Sequence, residues 1–403
     1  MKKHFKGDLN IWAIIIGLSV FSLLAVYSST GTLAYRFSGG NTATYIFRHG
    51  MFLSIGLLAT FILHKFPYKY YARLSQIFIW IIPLLLAITL FMGVDENDAT
   101  RRLSIFGMTF QTSDAAKLVL IMFLAQWLAI KQDRILDFKK TLFPVFCIIG
   151  VVCVLILPAN FSTAMLLFCT SVVLLFVGRT SVKQLTVLCL IALVMGSLLV
   201  GGLYGLHKVG VRNVITQRAV TWVNRVERFA EGQSDNDFSG NYQATHAKIA
   251  VGTSGFLGKG PGNSVQRNFL PHPYSDFIFA VIIEEYGIAG AAIVLFLYLN
   301  LLYRTVLIVR KCEKTFPAFL AIGLAFSVVF QAMINMSVAV GLIPVTGQPL
   351  PFISMGGTSM LFTGVNFGII LSISREIKGQ EKQPALPETD SRQQEAVNQQ
   401  VAS

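Results

Sequence analysis

Long apolar runs, separated by short clusters of charge, set the pattern of this chain. Ten such runs fall at roughly 10–29, 47–64, 74–93, 115–131, 141–159, 162–178, 183–206, 276–303, 315–340 and 352–374. Each is close to the ~20 residues that a helix needs to cross a bilayer. A helix satisfies its own backbone hydrogen bonds in lipid, so no soluble core is required. The short alternating strands of a membrane barrel are absent. The expected fold class is an all-α polytopic membrane protein with about ten transmembrane helices.

Lysine and arginine give the orientation. Lys2, Lys3 and Lys6 precede the first run; Lys65, Lys69 and Arg73 follow the second. Lys131, Arg134, Lys139 and Lys140 follow the fourth, Arg179 and Lys183 the sixth, and Arg304, Arg310, Lys311 and Lys314 the eighth. Basic residues favour the cytoplasmic side, so these loops and both termini are expected there. The opening MKKHFKGDLNIW lacks a small-residue cleavage site and reads as the start of a retained helix. Two outward loops depart from the rule. One is 94–114, with Arg101 and Arg102; the other is 207–275, a large extracytoplasmic loop between helices seven and eight. A loop that long is uncommon without a function. Residues 1–378 then form a single transmembrane domain, and the polar stretch 379–403 a disordered cytoplasmic tail. No internal repeat marks an inverted-repeat transporter.

Composition sharpens this picture. The 403 residues are 54% hydrophobic and 13% charged, against about 25% charged in a soluble domain. The net charge of +13 sits largely at the flanks of the apolar runs, where it is a topology signal; nucleic acid is not an expected partner. Cys147, Cys153, Cys169, Cys189 and Cys312 form no Cys-x-x-Cys pair and read as small hydrophobes.

Candidate chemistry lies in the long loop. Over 208–231, Val211, Ile215, Ala219, Trp222, Val226 and Phe229 recur at helical spacing among arginines. That is an amphipathic basic helix, suited to a membrane surface or to the protein's own outer face. The stretch GTSGFLGKGPGNS, 252–264, is glycine-rich, but its spacing is not that of a nucleotide-binding loop. Then comes LPHPYSDFIFAVIIEEYG, 270–287. Pro271 and Pro273 stop any earlier helix. Ser275 is the expected N-cap, which sets Asp276 in the first turn, where the helix dipole favours a carboxylate. Asp276 is therefore either a helix-start acid or an acid facing both lipid-borne substrate and water. Glu284 and Glu285 stand two turns deeper, where charge is costly and usually functional.

Three blocks resemble one family. TRRLSIFGMTFQTSDAAKL, 100–118, is similar to its Arg-Arg-Trp…Phe-Gln-Pro-Ser-Glu…Ala-Lys block; NYQATHAKIAVGTSGFLGKGPGNSVQRNFLPHPYSDFIFAVIIEEYG, 241–287, to its large loop and following helix; and GLIPVTGQPLPFISMGGTS, 341–359, to its late signature. NFSTA, 160–164, is a weaker match. On these blocks the chain resembles the SEDS proteins (shape, elongation, division and sporulation), the FtsW/RodA-type peptidoglycan glycosyltransferases, and more the division-type branch. It departs from the family at Thr112, Asp114, Asn160, His272, Pro273, Tyr274 and Met355.

The resemblance implies polymerisation of lipid II at the bacterial cytoplasmic membrane, at the division septum. A glycan is transferred with inversion and undecaprenyl diphosphate is released. It carries the family's essential loop aspartate onto Asp276, implying a general base. Arg101, Arg102 and Lys117 are the expected cations for the diphosphate; Lys259, a further outward cation, with Gln243, Asn263, Ser275, Glu284 and Glu285 completes the expected substrate-binding set. A divalent cation, Mg or Mn, stays open at the diphosphate, although no carboxylate cluster has metal-site spacing. The implied partners are lipid II, a class B penicillin-binding protein transpeptidase and other divisome proteins. Lipid II transport, a non-catalytic scaffold that recruits the transpeptidase, and an elongation-type role are the alternatives. The outward clustering of Asp276, Arg101 and Arg102 favours chemistry on the outer face.

Overall fold

A computed structural model describes residues 6–37, 42–96, 99–105, 108–211, 213–230, 241–270 and 273–380. The helices are α1 (Leu9–Phe37), α2 (Ala43–Leu63), α3 (Lys69–Met92), α4 (Thr112–Ile130), α5 (Phe143–Ile156), α6 (Phe161–Val177), α7 (Val182–Lys208), α8 (Val214–Ala230), α9 (Asn241–Gly252), α10 (Ile278–Val309), α11 (Thr315–Ala339) and α12 (Thr358–Gln380). A π-turn at Phe138–Leu142 extends α5 into one continuous span. Among the described residues nine helical segments are long and apolar enough to cross a membrane, and α6, with 17 residues, is a shorter apolar helix. The ten expected runs all appear, and the chain is a multi-pass membrane protein.

Helices α4, α11 and α12 form the middle of the bundle and α7 its edge. Burial on α4 takes in nearly every side chain from Thr112 to Ala125, whereas α7 buries only Leu185 and Leu188. Helices α2 and α12 meet through glycines. A β carbon at Gly364 would lie 2.2 Å from the Gly56 carbonyl oxygen, and Thr60 Oγ1 donates to the Gly364 carbonyl at 2.8 Å. Lipid gives helices no hydrophobic reason to associate, so such close backbone packing is what joins them. At one end of the bundle Arg304 pairs with Asp8 at 2.5 Å, Tyr68 N donates to Glu376 at 3.0 Å and Lys378 donates to the Gly7 carbonyl at 3.1 Å. The starts of α1 and α3 and the ends of α10 and α12 thus share one end, as the basic clusters require.

Three differences from the sequence reading have identifiable structural causes. The 94–111 loop holds a small antiparallel sheet, β1 (Val94–Glu96), β2 (Ala99–Ile105) and β3 (Met108–Gln111), with β2 in the middle. It is fixed to α12, because Gln111 N donates to Thr358 Oγ1 at 3.3 Å and Phe110 packs edge-on against Phe362. Helix α12 starts at Thr358 rather than 352, since Phe352 has a left-handed φ of 66° that no helix continues. Helix α10 starts at Ile278, not at Asp276, for a reason given below. The long outward loop is partly helical, and the amphipathic segment is α8. Its Trp222 ring lies 5.3 Å from that of Phe161 and Ala219 is buried, so the middle of this face packs on the protein itself, while Val211, Val226 and Phe229 stay exposed. Of the expected tail, 379–403, Gly379 and Gln380 belong to α12, and 381–403 lie outside the described residues, as do Pro271 and His272.

Candidate active site

Asp276 lies in a turn that leads into α10. A helix beginning at Asp276, with Ser275 as its N-cap, would need the carbonyls of Ser275 and Asp276 for its first bonds. Both are already committed, as is that of Tyr274. Met355 N donates to Tyr274 O at 2.9 Å, Ser354 Oγ to Ser275 O at 2.6 Å, and Asn335 Nδ2 to Asp276 O at 2.8 Å. The ladder therefore begins at Phe277, whose carbonyl accepts from Ala280 and Val281, and Phe277 holds the N-cap position. Ser275 is not the N-cap; its hydroxyl donates to Asp276 Oδ1 at 2.9 Å. Asp276 is half-buried, ahead of the helix rather than in its first turn.

The opposite wall is the segment between α11 and α12. Pro344, Pro349 and Pro351 keep it out of helix. Gly347 has φ +67°, and a β carbon there would sit 3.6 Å from Asp276 Oδ2, so a glycine both permits the backbone and keeps the space beside the carboxylate clear. The segment is held from several sides. Gln348 Nε2 donates to Thr163 Oγ1 at 2.7 Å, Gln331 Nε2 to Pro349 O at 3.0 Å and Arg225 Nη1 to Val345 O at 3.3 Å. Asn335 Nδ2 also reaches Gln348 O at 2.7 Å. Non-helical backbone at membrane depth survives where such partners satisfy it.

The glycine-rich loop is built around Glu284 and Glu285. Helix α10 breaks at Gly287, which has φ +67°. The backbone groups freed by the break pair with the loop: Lys259 N and Gly260 N donate to the carbonyls of Glu284 and Glu285, each at 2.9 Å, and Ile288 N and Ala289 N donate to Gly255 O and Phe256 O, each at 3.2 Å. The two segments come so close that a β carbon at Gly258 would lie 2.3 Å from Glu285 O. The side chains complete the clasp. Glu284, fully buried, accepts from Lys259 Nζ at 2.6 Å, Ser264 Oγ at 2.6 Å, Val265 N at 3.2 Å and Gln266 N at 3.1 Å. Glu285 accepts from Ser28 Oγ and, at 3.3 Å, from Ser264 N; Arg267 stands 3.9 Å away and donates to Ser28 O at 2.7 Å. Lys259, Glu284 and Glu285 are thus committed to one another and to the loop. Asn263 joins them, its Nδ2 donating to Lys259 O at 3.0 Å.

The remaining expected residues are dispersed. Lys117 is buried one turn into α4, paired with Asp114 at 2.8 Å and with Gln331 Oε1 at 2.9 Å. The pair lines a cavity of about 20 Å³ with Ser327, Thr363 and Asn366, room for roughly one water. Arg101 and Arg102 stand on β2, with Arg102 opposite Gln111 on β3; their side chains lie outside the described residues. Gln243 is half-buried on α9. Sequence reasoning did not single out Asn335, Gln331, Gly347 or Ser354. Two amides one turn apart inside an apolar run, FQAMINM, were the available signal.

The family profile described as "Cell cycle protein", FtsW/RodA/SpoVE, matches residues 8–379. The chain belongs to this family. Relatives of the FtsW/RodA/SpoVE family include the "Probable peptidoglycan glycosyltransferase FtsW" of Aliivibrio salmonicida, 30% identical over 373 residues, covering 91% of this chain and 88% of the relative. The "Stage V sporulation protein E" of Bacillus subtilis is 30% identical over 378 residues, covering 93% and 98%. Among solved structures, a chain of a peptidoglycan synthase complex matches with TM-score 0.70 and 22% identity over 92% of this chain and 98% of that one. The rod shape determining protein RodA of Thermus thermophilus matches with TM-score 0.64 and 22% identity, over 92% and 97%. These structures show that the chain shares their fold over 92% of its length.

Proposed function

We propose that this protein is a division-type peptidoglycan glycosyltransferase that polymerises lipid II on the outer face of the bacterial cytoplasmic membrane, at the septum, with Asp276 as its general base. Family membership and the names of its relatives support the activity. One observation supports the residue: three consecutive carbonyls, of Tyr274, Ser275 and Asp276, are pinned by partners from α11 and the 354–355 turn. A carboxylate on a backbone so fixed is pre-organised for its task.

The chemistry then runs as follows. Ser275 engages Oδ1 of Asp276, and Oδ2 faces Gly347, 3.6 Å from where a β carbon there would stand. Oδ2 takes the proton of the acceptor sugar's 4-hydroxyl. The hydroxyl oxygen attacks the anomeric carbon of the growing chain from the face opposite the lipid diphosphate. The carbon–oxygen bond to the diphosphate breaks, its electron pair leaves with the diphosphate, and the configuration inverts. A diphosphate is a stable anion, so one carboxylate suffices where a glycosidase needs two. Arg101 and Arg102 on β2 are the cations proposed to receive that anion, by charge-assisted bonds. Among the described residues no group of three His, Cys, Asp or Glu could hold a metal ion, and no step here runs through one. A single-span class B penicillin-binding protein is the proposed partner, and both termini are cytoplasmic.

The test is lipid II polymerisation by the purified protein with that partner, wild type against Asp276→Asn. General-base catalysis contributes about 10²–10⁴-fold, so the variant is expected to lose at least about a hundredfold in rate while keeping its fold and partner. Equal rates would remove Asp276 from the mechanism. No polymerisation by either would move the protein toward transport or scaffolding.

A further inference from the structure

We propose that Asn335 is a positioning residue for Asp276, assisted by Gln331 one turn before it on the same face of α11. The inference rests on Asp276 being the base and names what holds it. Asn335 is 1% exposed. Its Nδ2 donates both to Asp276 O, at 2.8 Å, and to Gln348 O, at 2.7 Å. Its Oδ1 is buried with no hydrogen-bond partner. Reversing the amide would set that oxygen against two carbonyls, so the orientation is dictated by them. A buried acceptor left without a partner is costly, and an apolar side chain of similar size would avoid that cost. What the amide supplies is a bridge. One NH2 group joins the peptide that carries the carboxylate to the peptide that follows Gly347, the residue beside Oδ2. It therefore sets the width of the site at its reacting oxygen.

Gln331 holds the next peptide of the same wall. Its Nε2 donates to Pro349 O at 3.0 Å, while its Oε1 accepts from Lys117 Nζ at 2.9 Å. Lys117 is in turn held by Asp114 at 2.8 Å. Gln348 is tied through its side chain to Thr163 of α6 at 2.7 Å. Residues 348 and 349 are thus fixed to α11, α6 and, through Lys117, to α4. This gives the buried Asp114–Lys117 pair a role at a distance: it orients the amide that fixes the wall facing Asp276.

The experiment measures kcat and KM for lipid II with the partner transpeptidase present. Misplacing a reacting group by about 1 Å can cost about a hundredfold. Asn335→Asp, nearly isosteric but without the donors, and Asn335→Leu, which packs without donors, are both expected to lower kcat about ten- to a hundredfold. KM is expected to stay within about threefold, since the substrate contacts are elsewhere. Gln331→Met, which frees only Pro349 O and Lys117, is expected to lower kcat by less than either. Rates are taken on protein with the wild-type melting profile. Wild-type kcat in both Asn335 variants, a change confined to KM, or a larger loss in Gln331→Met would overturn the proposal. Asp276→Asn is run beside them. If it is inactive while the Asn335 variants are fully active, the positioning role alone fails; if it keeps full turnover, Asp276 is not the base and the positioning role falls with it.

Discussion

Removing the carboxylate of Glu284 is expected to undo the clasp that fastens the outer loop to α10. Four donors converge on that carboxylate: Lys259 Nζ, Ser264 Oγ, Val265 N and Gln266 N. In Glu284→Ala all four lose their acceptor. The Lys259 side chain is 31% exposed and can return to water. Ser264 is buried and cannot, and the amides of residues 265 and 266 point into the same site. Each donor orphaned in place, Ser264 Oγ and the two amides, costs about 1–3 kcal/mol, while Lys259, free to return to water, adds little. About 3–4 kcal/mol of local stability is the expected loss. Lys259→Ala is the contrast. It removes the counter-charge but leaves the carboxylate three hydrogen bonds, so about 1–2 kcal/mol is expected. Hydrogen exchange at the amides of Val265 and Gln266 reads the difference directly. A factor of ten corresponds to about 1.4 kcal/mol, so exchange should rise several hundredfold in Glu284→Ala and about tenfold in Lys259→Ala. Equal effects in the two variants would show that the ion pair, rather than the loop's own donors, carries the clasp. Unchanged exchange in Glu284→Ala would refute the clasp altogether.

Two further predictions concern parts remote from the site. In Gly364→Ala the new β carbon would meet the Gly56 carbonyl oxygen at 2.2 Å, so α2 and α12 must separate and the Thr60–Gly364 bond must lengthen; a melting temperature in detergent several degrees below wild type is expected, and an unchanged one would contradict the close packing. At Cys312, between α10 and α11, burial pushes the thiol up to about 11. The thiolate is the reactive form, so maleimide labelling of a variant that keeps only Cys312 should be slow near neutrality and rise about tenfold per pH unit toward pH 11; a plateau near pH 9 would contradict the burial.

The sequence was informative where the physics is local. Apolar length alone located the spans, because lipid demands a continuous helix whatever its neighbours are. Helical spacing alone located α8. The start of α10 was not readable, because it depends on Asn335 and Ser354, some 60 to 80 residues further along the chain, whose donors take the carbonyls a first turn would need. The late start of α12 turns on the left-handed Phe352, a conformation that composition does not announce. Glu284 and Glu285 show a rule working at the wrong grain. Acids inside a membrane usually pair or perform a function; here their partners lay in the glycine-rich loop, and sequence could not give the register that brings Lys259 and Ser264 onto them. Gln331 and Asn335 carry the same rule in neutral form, and an amide draws less notice than a charge. Arg101 and Arg102 were legible as cations in a loop between spans, and the sheet they stand on was not.

The backbone departs from helix on both sides of Asp276, and both departures find hydrogen-bond partners elsewhere in the chain. Behind it, α10 breaks at Gly287, and the freed carbonyls and amides pair with residues 255–260. Across from it, the 341–357 segment is held by Gln331, Asn335, Thr163 and Ser354. Behind it the partners are backbone groups of a loop; across from it they are mostly side chains from well-packed helices. The turn bearing Asp276 lies between these two fixed points and is bonded directly to the second. Helix α7 lies outside this arrangement, with only Leu185 and Leu188 buried. It touches α8, and α8 reaches the wall through Arg225 on the Val345 carbonyl. The contrast is a physical one: the turn that bears the carboxylate is bonded to α11 and to the 354–355 turn, whereas α7 meets the wall through α8 and buries two side chains of its own.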